Sequence, residues 1–205
     1  MNVDITDLKT VRLSQDGSAV IILDQTRLPG SEVYVSLSSA EEVWEAIYKL
    51  KVRGAPAIGI AAAYGIYVCS RLIVANTYDS FYSEFLRMKD YLASSRPTAV
   101  NLVAALDRME SCGCPFYEAC SGIVDLLRVE SEAIRAEDAA ACRKIGENCL
   151  SLLRPGMGIL THCNAGHLAV SEYGTALAPV YLGEERGYGF KVFADERGRC
   201  CRGHV

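Results

Sequence analysis

Three short stretches combine residue types that can hold and rework a phosphorylated small molecule. Arg53-Gly54-Ala55-Pro56 sets a glycine where backbone amides can approach a ligand, followed by a proline suited to a first helical turn. The positive end of that helix, with the Arg53 guanidinium beside it, suits phosphate oxygens. Ser95-Arg96-Pro97-Thr98 repeats the logic, with an arginine directly before a proline that is expected to start a helix. Thr161-His162-Cys163-Asn164-Ala165-Gly166 lies between an apolar run and a helical pattern. Ligands of open α/β sheets bind beyond the carboxyl ends of the strands, where this loop falls. A cysteine at a helix N-terminus gains thiolate character, so Cys163 could act there as acid, base or nucleophile. Each stretch also has a plain structural reading: a capped helix with a solvated arginine, or a loop cysteine in a chain that has 9 of them.

The elements that must position these residues change character along the chain. Two strand-like runs, 11–13 and 19–23, flank Gln15-Asp16-Gly17, a hairpin turn signal. Helical patterns come next. Ser39 with Glu42 forms a capping box ahead of a face carrying Val43, Ile47 and Leu50. Pro56 opens a second helix, whose Ala57/Ala61 and Gly59/Ala63 spacings let neighbours approach closely. Residues 78–94 are amphipathic, and Pro97 is expected to start a helix that Cys112-Gly113-Cys114-Pro115 breaks. From there to Leu153 the pattern is helical, read as two pieces, and Arg154-Pro155-Gly156 ends it. Residues 157–160 then read as a buried strand, 167–185 as a helix, and 190–194 as a second buried strand. Strand, loop, helix and strand make a βαβ unit, the start of a parallel sheet. The expected fold is α/β overall. A helical N-terminal domain with a small antiparallel sheet (1–154) precedes the first βαβ unit of an incomplete Rossmann-like domain (155–196).

Composition supports a folded core and narrows the partners. Half of the 205 residues are hydrophobic and 22% are charged, so disorder is excluded as the main state. A net charge of −4 argues against nucleic acid or an acidic membrane surface as partner. Residues 57–70 are apolar but short and rich in glycine and alanine, which fits a core helix better than a membrane span. The N-terminal residues lack the basic and apolar regions of a signal peptide, which implies a cytoplasmic protein with reduced thiols. The cysteines lack paired zinc spacing, so no metal is expected.

Taken together, residues 53–65 (RGAPAIGIAAAYG), 95–102 (SRPTAVNL), 159–166 (ILTHCNAG) and 173–179 (YGTALAP) resemble the methylthioribose-1-phosphate isomerase family, and 23–29 (LDQTRLP) also fits. That family is related to the regulatory subunits of translation initiation factor 2B. The resemblance implies a helical N-terminal domain, a Rossmann-like second domain, a homodimer, and no metal or nucleotide cofactor. It implies conversion of 5-methylthioribose 1-phosphate to 5-methylthioribulose 1-phosphate in methionine salvage. Carried over by position, Cys163 matches the catalytic cysteine, Arg53, Gly54 and Ala55 would bind substrate, and Arg96 would hold the phosphate. Two alternatives remain. One is a related isomerase of ribose 1,5-bisphosphate or 5-deoxyribose 1-phosphate; the other is a non-catalytic regulatory subunit.

The resemblance stops at Glu196. Family members continue with a segment like DETRPLLQGARLT, which supplies a binding glutamine, and a catalytic aspartate comes later; here Asp195-Glu196 is followed by RGRCCRGHV. One allowed codon spelling of residues 196–205, shifted by one base, translates as TRPLLQGARL. Residues 197–205 are therefore expected to be an out-of-frame tail in which Cys200 and Cys201 have no chemical role, and the 205-residue product is expected to be inactive.

Overall fold

In the computed structural model the described residues are 9–113 and 122–195. The expectations for Cys114, Pro115 and the 197–205 tail lie outside them.

The hairpin signal at residues 15–17 folds as expected. Asp16 accepts hydrogen bonds from the Ser14 hydroxyl and from both the amide and hydroxyl of Ser18. These donors hold its carboxyl down at about 2. The turn joins β1 (Val11–Leu13) to β2 (Val20–Leu23). A third strand that the sequence pattern does not mark, β3 (Tyr34–Leu37), completes an antiparallel sheet in the order β1-β2-β3. Its residues alternate exposed and covered, and only Leu37 is buried, so its apolar signal is weak. Val20, Ile22 and Leu23 of the central strand are fully buried.

Helix α1 (Ala40–Tyr48) carries the expected Ser39–Glu42 capping box and buries Val43, Ala46 and Ile47. Helix α2 (Ala55–Ser70) is the centre of the core, buried on every side from Ala57 to Ser70. The small residues act as the spacing required. A Cβ on Gly59 would lie 2.8 Å from the Asn101 carbonyl oxygen, and one on Gly65 would lie 2.7 Å from Val43 Cγ1. Helix α3 (Tyr78–Ala93) is capped by Thr77 and buries Phe81, Phe85, Met88 and Leu92.

One helical expectation needs correction. Helix α4 is Val100–Gly113, so Pro97 sits in a turn before the helix rather than in its first turn. In that turn the Ala99 amide donates to the Arg96 carbonyl at 2.9 Å. Within the described part of the region read as two helices, residues 123–150 form one helix, α5 (Ile123–Leu150), with no internal glycine or proline break strong enough to end it. Gly146 is tolerated because it is a contact point: a Cβ there would meet Leu182 Cδ1 at 2.6 Å.

The chain then forms β4 (Gly158–Thr161) and β5 (Lys191–Ala194), paired in parallel, with Thr161 opposite Ala194. Between them the expected helix of 167–185 is only half present. A 3-10 turn, His167–Ala169, is followed by bends and then α6 (Ala178–Glu185). Tyr173 and Gly174 both have positive φ, which no helix accommodates. The sequence predicts both strands to be buried, yet Leu160 is 73% and Phe193 59% exposed. Among the described residues each strand pairs only with the other, and α6 packs on α5 rather than over the sheet.

Candidate active site

Helix direction decides which ends of the bundle meet. The Tyr64 hydroxyl meets Glu132, whereas Pro56 and Gly59 share a cavity wall with Asp138 and Ala141, so α2 runs antiparallel to α5. Arg108 pairs with Glu130, and the Cys112 thiol approaches the Leu126 carbonyl, so α4 is antiparallel to α5 as well. Helices α2 and α4 therefore run parallel. The Arg53-Gly54 turn and the Arg96 turn lie at the same end of the helical layer.

The Gly54 turn is packed against the segment just after the cysteine loop. Gly54 has φ +92, and a Cβ there would lie 2.4 Å from both the Cα and the carbonyl oxygen of Ala169. Only glycine fits both demands. Further ties surround this contact. The Gln25 side-chain amide donates to the Leu168 carbonyl at 2.7 Å, while its backbone amide donates to the Lys51 carbonyl at 2.9 Å. The Thr10 hydroxyl donates to the His167 carbonyl. Asp138 of α5 accepts from both the amide and the hydroxyl of Ser171, at 2.7 and 2.6 Å. Glu172 accepts from Lys9 and Arg135. Burial raises the Glu172 carboxyl, but these two cations outweigh it and hold the group below its ordinary 4.5.

Residues 167–172 are thus fixed by the N-terminal elements, and the cysteine loop is fixed in turn by residues 174 and 175. A Cβ on Gly174 would lie 2.6 Å from the Ala165 carbonyl oxygen, and Thr175 donates to that same oxygen at 3.0 Å. The YG pair at 173–174 therefore closes the THCNAG loop from behind. Cys163 stands at the carboxyl end of β4 with φ +69, its thiol free and the residue exposed. The helix expected to act on it is instead a three-residue 3-10 turn, too short to supply a macrodipole. By contrast, burial pushes the Cys69 and Cys142 thiols up to about 11, as suits core residues.

Of the residues singled out from sequence, Gly54 is brought against the cysteine loop's anchor. Ala55 is exposed at the first turn of α2, and Arg53 and Arg96 are half-buried at the two turns of that same end. One pair escapes the sequence motifs. His162 Nδ1 lies 2.8 and 2.7 Å from the two carboxylate oxygens of Asp195. The parallel register brings them together, since each directly follows a paired strand end, Thr161 and Ala194. The βαβ pattern is the signal that could have found them. Among the described residues no cluster of three or more metal-ligating side chains occurs, and no helix is long and apolar enough to cross a membrane.

Comparisons with known proteins agree with the fold. The model of the initiation factor 2 subunit family matches residues 51–204. A methylthioribose-1-phosphate isomerase of Parabacteroides distasonis is 66% identical over a 193-residue alignment that covers 91% of this chain and 56% of that protein. A 5-deoxyribose 1-phosphate isomerase of Petrotoga mobilis is 53% identical, over 91% of this chain and 54% of its own length. Among solved structures, 5-methylthioribose 1-phosphate isomerase from Pyrococcus horikoshii superposes with TM-score 0.85 at 30% identity, covering 94% of this chain and 62% of that one. The delta subunit of translation initiation factor eIF-2B from A. fulgidus gives TM-score 0.83 at 36% identity, over 91% and 54%. The chain spans about half the length of the curated relatives it matches.

Proposed function

Because this chain belongs to the initiation factor 2 subunit family, we propose that it carries the N-terminal half-site of an aldose–ketose isomerase acting on a 5-substituted ribose 1-phosphate. The substrate is 5-methylthioribose 1-phosphate and the product 5-methylthioribulose 1-phosphate, a step of methionine salvage in the cytoplasm. The working unit is a homodimer, with a helical domain over 1–154 and a Rossmann-like domain beginning at 155. The observation that carries this reading is Cys163, exposed beyond the end of a parallel strand and anchored through residues 167–169 to the Gly54 turn. The 66% identity to a methylthioribose-1-phosphate isomerase supports it.

The chemistry is dictated by the substrate. Phosphate on the anomeric carbon prevents simple opening to a free aldehyde. The C1–O bond of the ring must break with its electron pair leaving on the ring oxygen, which takes a proton. Hydrogen moves from C2 to C1, and the 2-hydroxyl gives up its proton as the C2 carbonyl forms. The site therefore needs one group to give a proton and one to accept it. Cys163 serves as one of them. Arg96 and Arg53, at the two helix-end turns, hold the phosphate by charge-assisted hydrogen bonds, aided by the α2 N-terminal amides beyond Gly54 and Ala55.

Two other readings have specific support. The 53% identity to a 5-deoxyribose 1-phosphate isomerase favours a different 5-substituent, and the likeness to an eIF-2B delta subunit favours a regulatory role. The test joins this chain to the part of the Parabacteroides distasonis relative that it does not span. Phosphorus NMR then tracks methylthioribose 1-phosphate, 5-deoxyribose 1-phosphate and ribose 1,5-bisphosphate. Turnover of the first above the others, lost in Cys163→Ala, is expected. No turnover of any of the three, with the relative active in the same assay, overturns the isomerase reading.

A further inference from the structure

The loop that carries Cys163 also carries a second group whose chemistry is set by its partner. His162 Nδ1 lies within hydrogen-bond distance of both oxygens of Asp195. An ionised carboxylate can only accept, so the proton of this bond sits on the imidazole, at Nδ1. In its neutral form the ring is then held in one tautomer, with a bare lone pair on Nε2. Among the described residues no hydrogen bond is made to that second nitrogen. The side chain of His162 is 69% exposed, and its carboxylate partner 44% exposed, so the pair faces outward from the sheet rather than into the core.

Position adds a second argument. The pair bridges the ends of both strands of the parallel ladder, where Thr161 faces Ala194 and the Asp195 amide donates to the Thr161 carbonyl at 3.2 Å. This is the edge of an open α/β sheet at which ligands bind. A structural ion pair would gain little here, because exposed pairs contribute about 0–1 kcal/mol. A fixed acceptor next to Cys163 does have a use: it suits a sugar hydroxyl, which can donate, and not a dianionic phosphate ester, which has no proton to give.

We propose that His162 is a substrate-binding residue whose Nε2 accepts a hydrogen bond from a ribose hydroxyl, and that Asp195 is the positioning residue that fixes its tautomer. The proposal rests on the sugar-phosphate reading of the site and deepens it, since it assigns the recognition of the sugar rather than of the phosphate. It also separates two duties between the two ends of the site. The arginine turns recognise charge, and the strand ends recognise hydroxyl.

The test uses the 205-residue chain with Asp195→Ala and His162→Ala variants. Long-range proton–nitrogen NMR on labelled protein reads the tautomer of His162. Calorimetry reads the binding of ribose 1-phosphate, 2-deoxyribose 1-phosphate and inorganic phosphate. The expected result is an Nδ1-protonated ring in the parent chain and a mixture of tautomers in Asp195→Ala. Ribose 1-phosphate should bind about 3–10-fold more weakly to both variants, the span of one hydrogen bond, while inorganic phosphate binds unchanged. The same affinity for ribose 1-phosphate in all three proteins overturns the proposal and leaves the isomerase reading standing. A parent chain that holds the tautomer but binds no ribose 1-phosphate overturns the sugar-phosphate reading itself.

Discussion

The Gln25 side-chain amide donates to the Leu168 carbonyl at 2.7 Å, joining residues 143 positions apart. This one side chain ties the segment between β2 and β3 to the segment that anchors the cysteine loop. Gln25 is 2% exposed, so its partner carbonyl has no easy substitute donor if the amide is lost. Gln25→Leu is expected to cost about 1–3 kcal/mol, the penalty for a buried polar group left unsatisfied. Urea unfolding checks it; an unchanged midpoint would show that the tie contributes nothing.

Gly54→Ala tests the closest approach between the two parts of the site. The new Cβ meets Ala169 backbone at 2.4 Å while φ is +92, so both sterics and conformation oppose it. The expected loss is larger than the about 1 kcal/mol typical of a glycine replaced in an open turn, with a fall in melting temperature. Gly187→Ala, with φ +72 and nothing within 4 Å, is the control that carries the conformational cost alone.

Acid should loosen the same junction. The Glu172 carboxyl lies below its ordinary 4.5 because Lys9 and Arg135 outweigh its burial. A group depressed on folding stabilises the fold above its unfolded value, and that contribution fades as pH falls through the folded one. Stability should therefore begin to drop below about 4.5, and Glu172→Gln should flatten that limb while lowering stability at pH 7. Chemical denaturation at a series of pH values measures both effects.

Thiol labelling should separate the cysteines by burial. Cys163 and Cys149 are exposed, whereas Cys69 and Cys142 are buried with thiols pushed up to about 11. Maleimide in the native state is expected to modify the first two at least roughly tenfold faster, since reaction needs both access and thiolate. Peptide mass mapping against time reads the order.

If Arg96 holds the phosphate as proposed, removing its charge should weaken binding without unfolding the chain. Arg96 is half-buried in a turn outside α4. Arg96→Ala is expected to weaken inorganic phosphate about 10–100-fold, the span of a charge-assisted hydrogen bond, with melting temperature nearly unchanged. Calorimetry and thermal unfolding together check it.

Much of this architecture is legible from local signals. The Ser39 capping box, the Asp16-Gly17 turn and the apolar, small-residue α2 each need only neighbouring residues to be recognised. Resemblance to one family points at Cys163 and the arginine turns together. The features that stay hidden depend on distant partners. Strand β3 alternates exposed and covered residues, but only Leu37 is buried, so little of it marks a strand that packs on a core. The break after Ala169 arises from the positive φ of Tyr173 and from Gly174 packing on Ala165, contacts that no helical periodicity encodes. The His162–Asp195 pair needs strand register, which becomes readable only once the two strands are known to be parallel neighbours.

The β4–β5 ladder has a consequence for how the protein behaves in concentrated solution. Leu160, Val192 and Phe193 face solvent on a two-stranded ladder whose outer hydrogen-bonding edges are unpaired among the described residues. Such an edge is a template for any extended segment that approaches it, and the apolar side chains reward the encounter. Strand addition between molecules would therefore compete with ligand for the ground just beside Cys163.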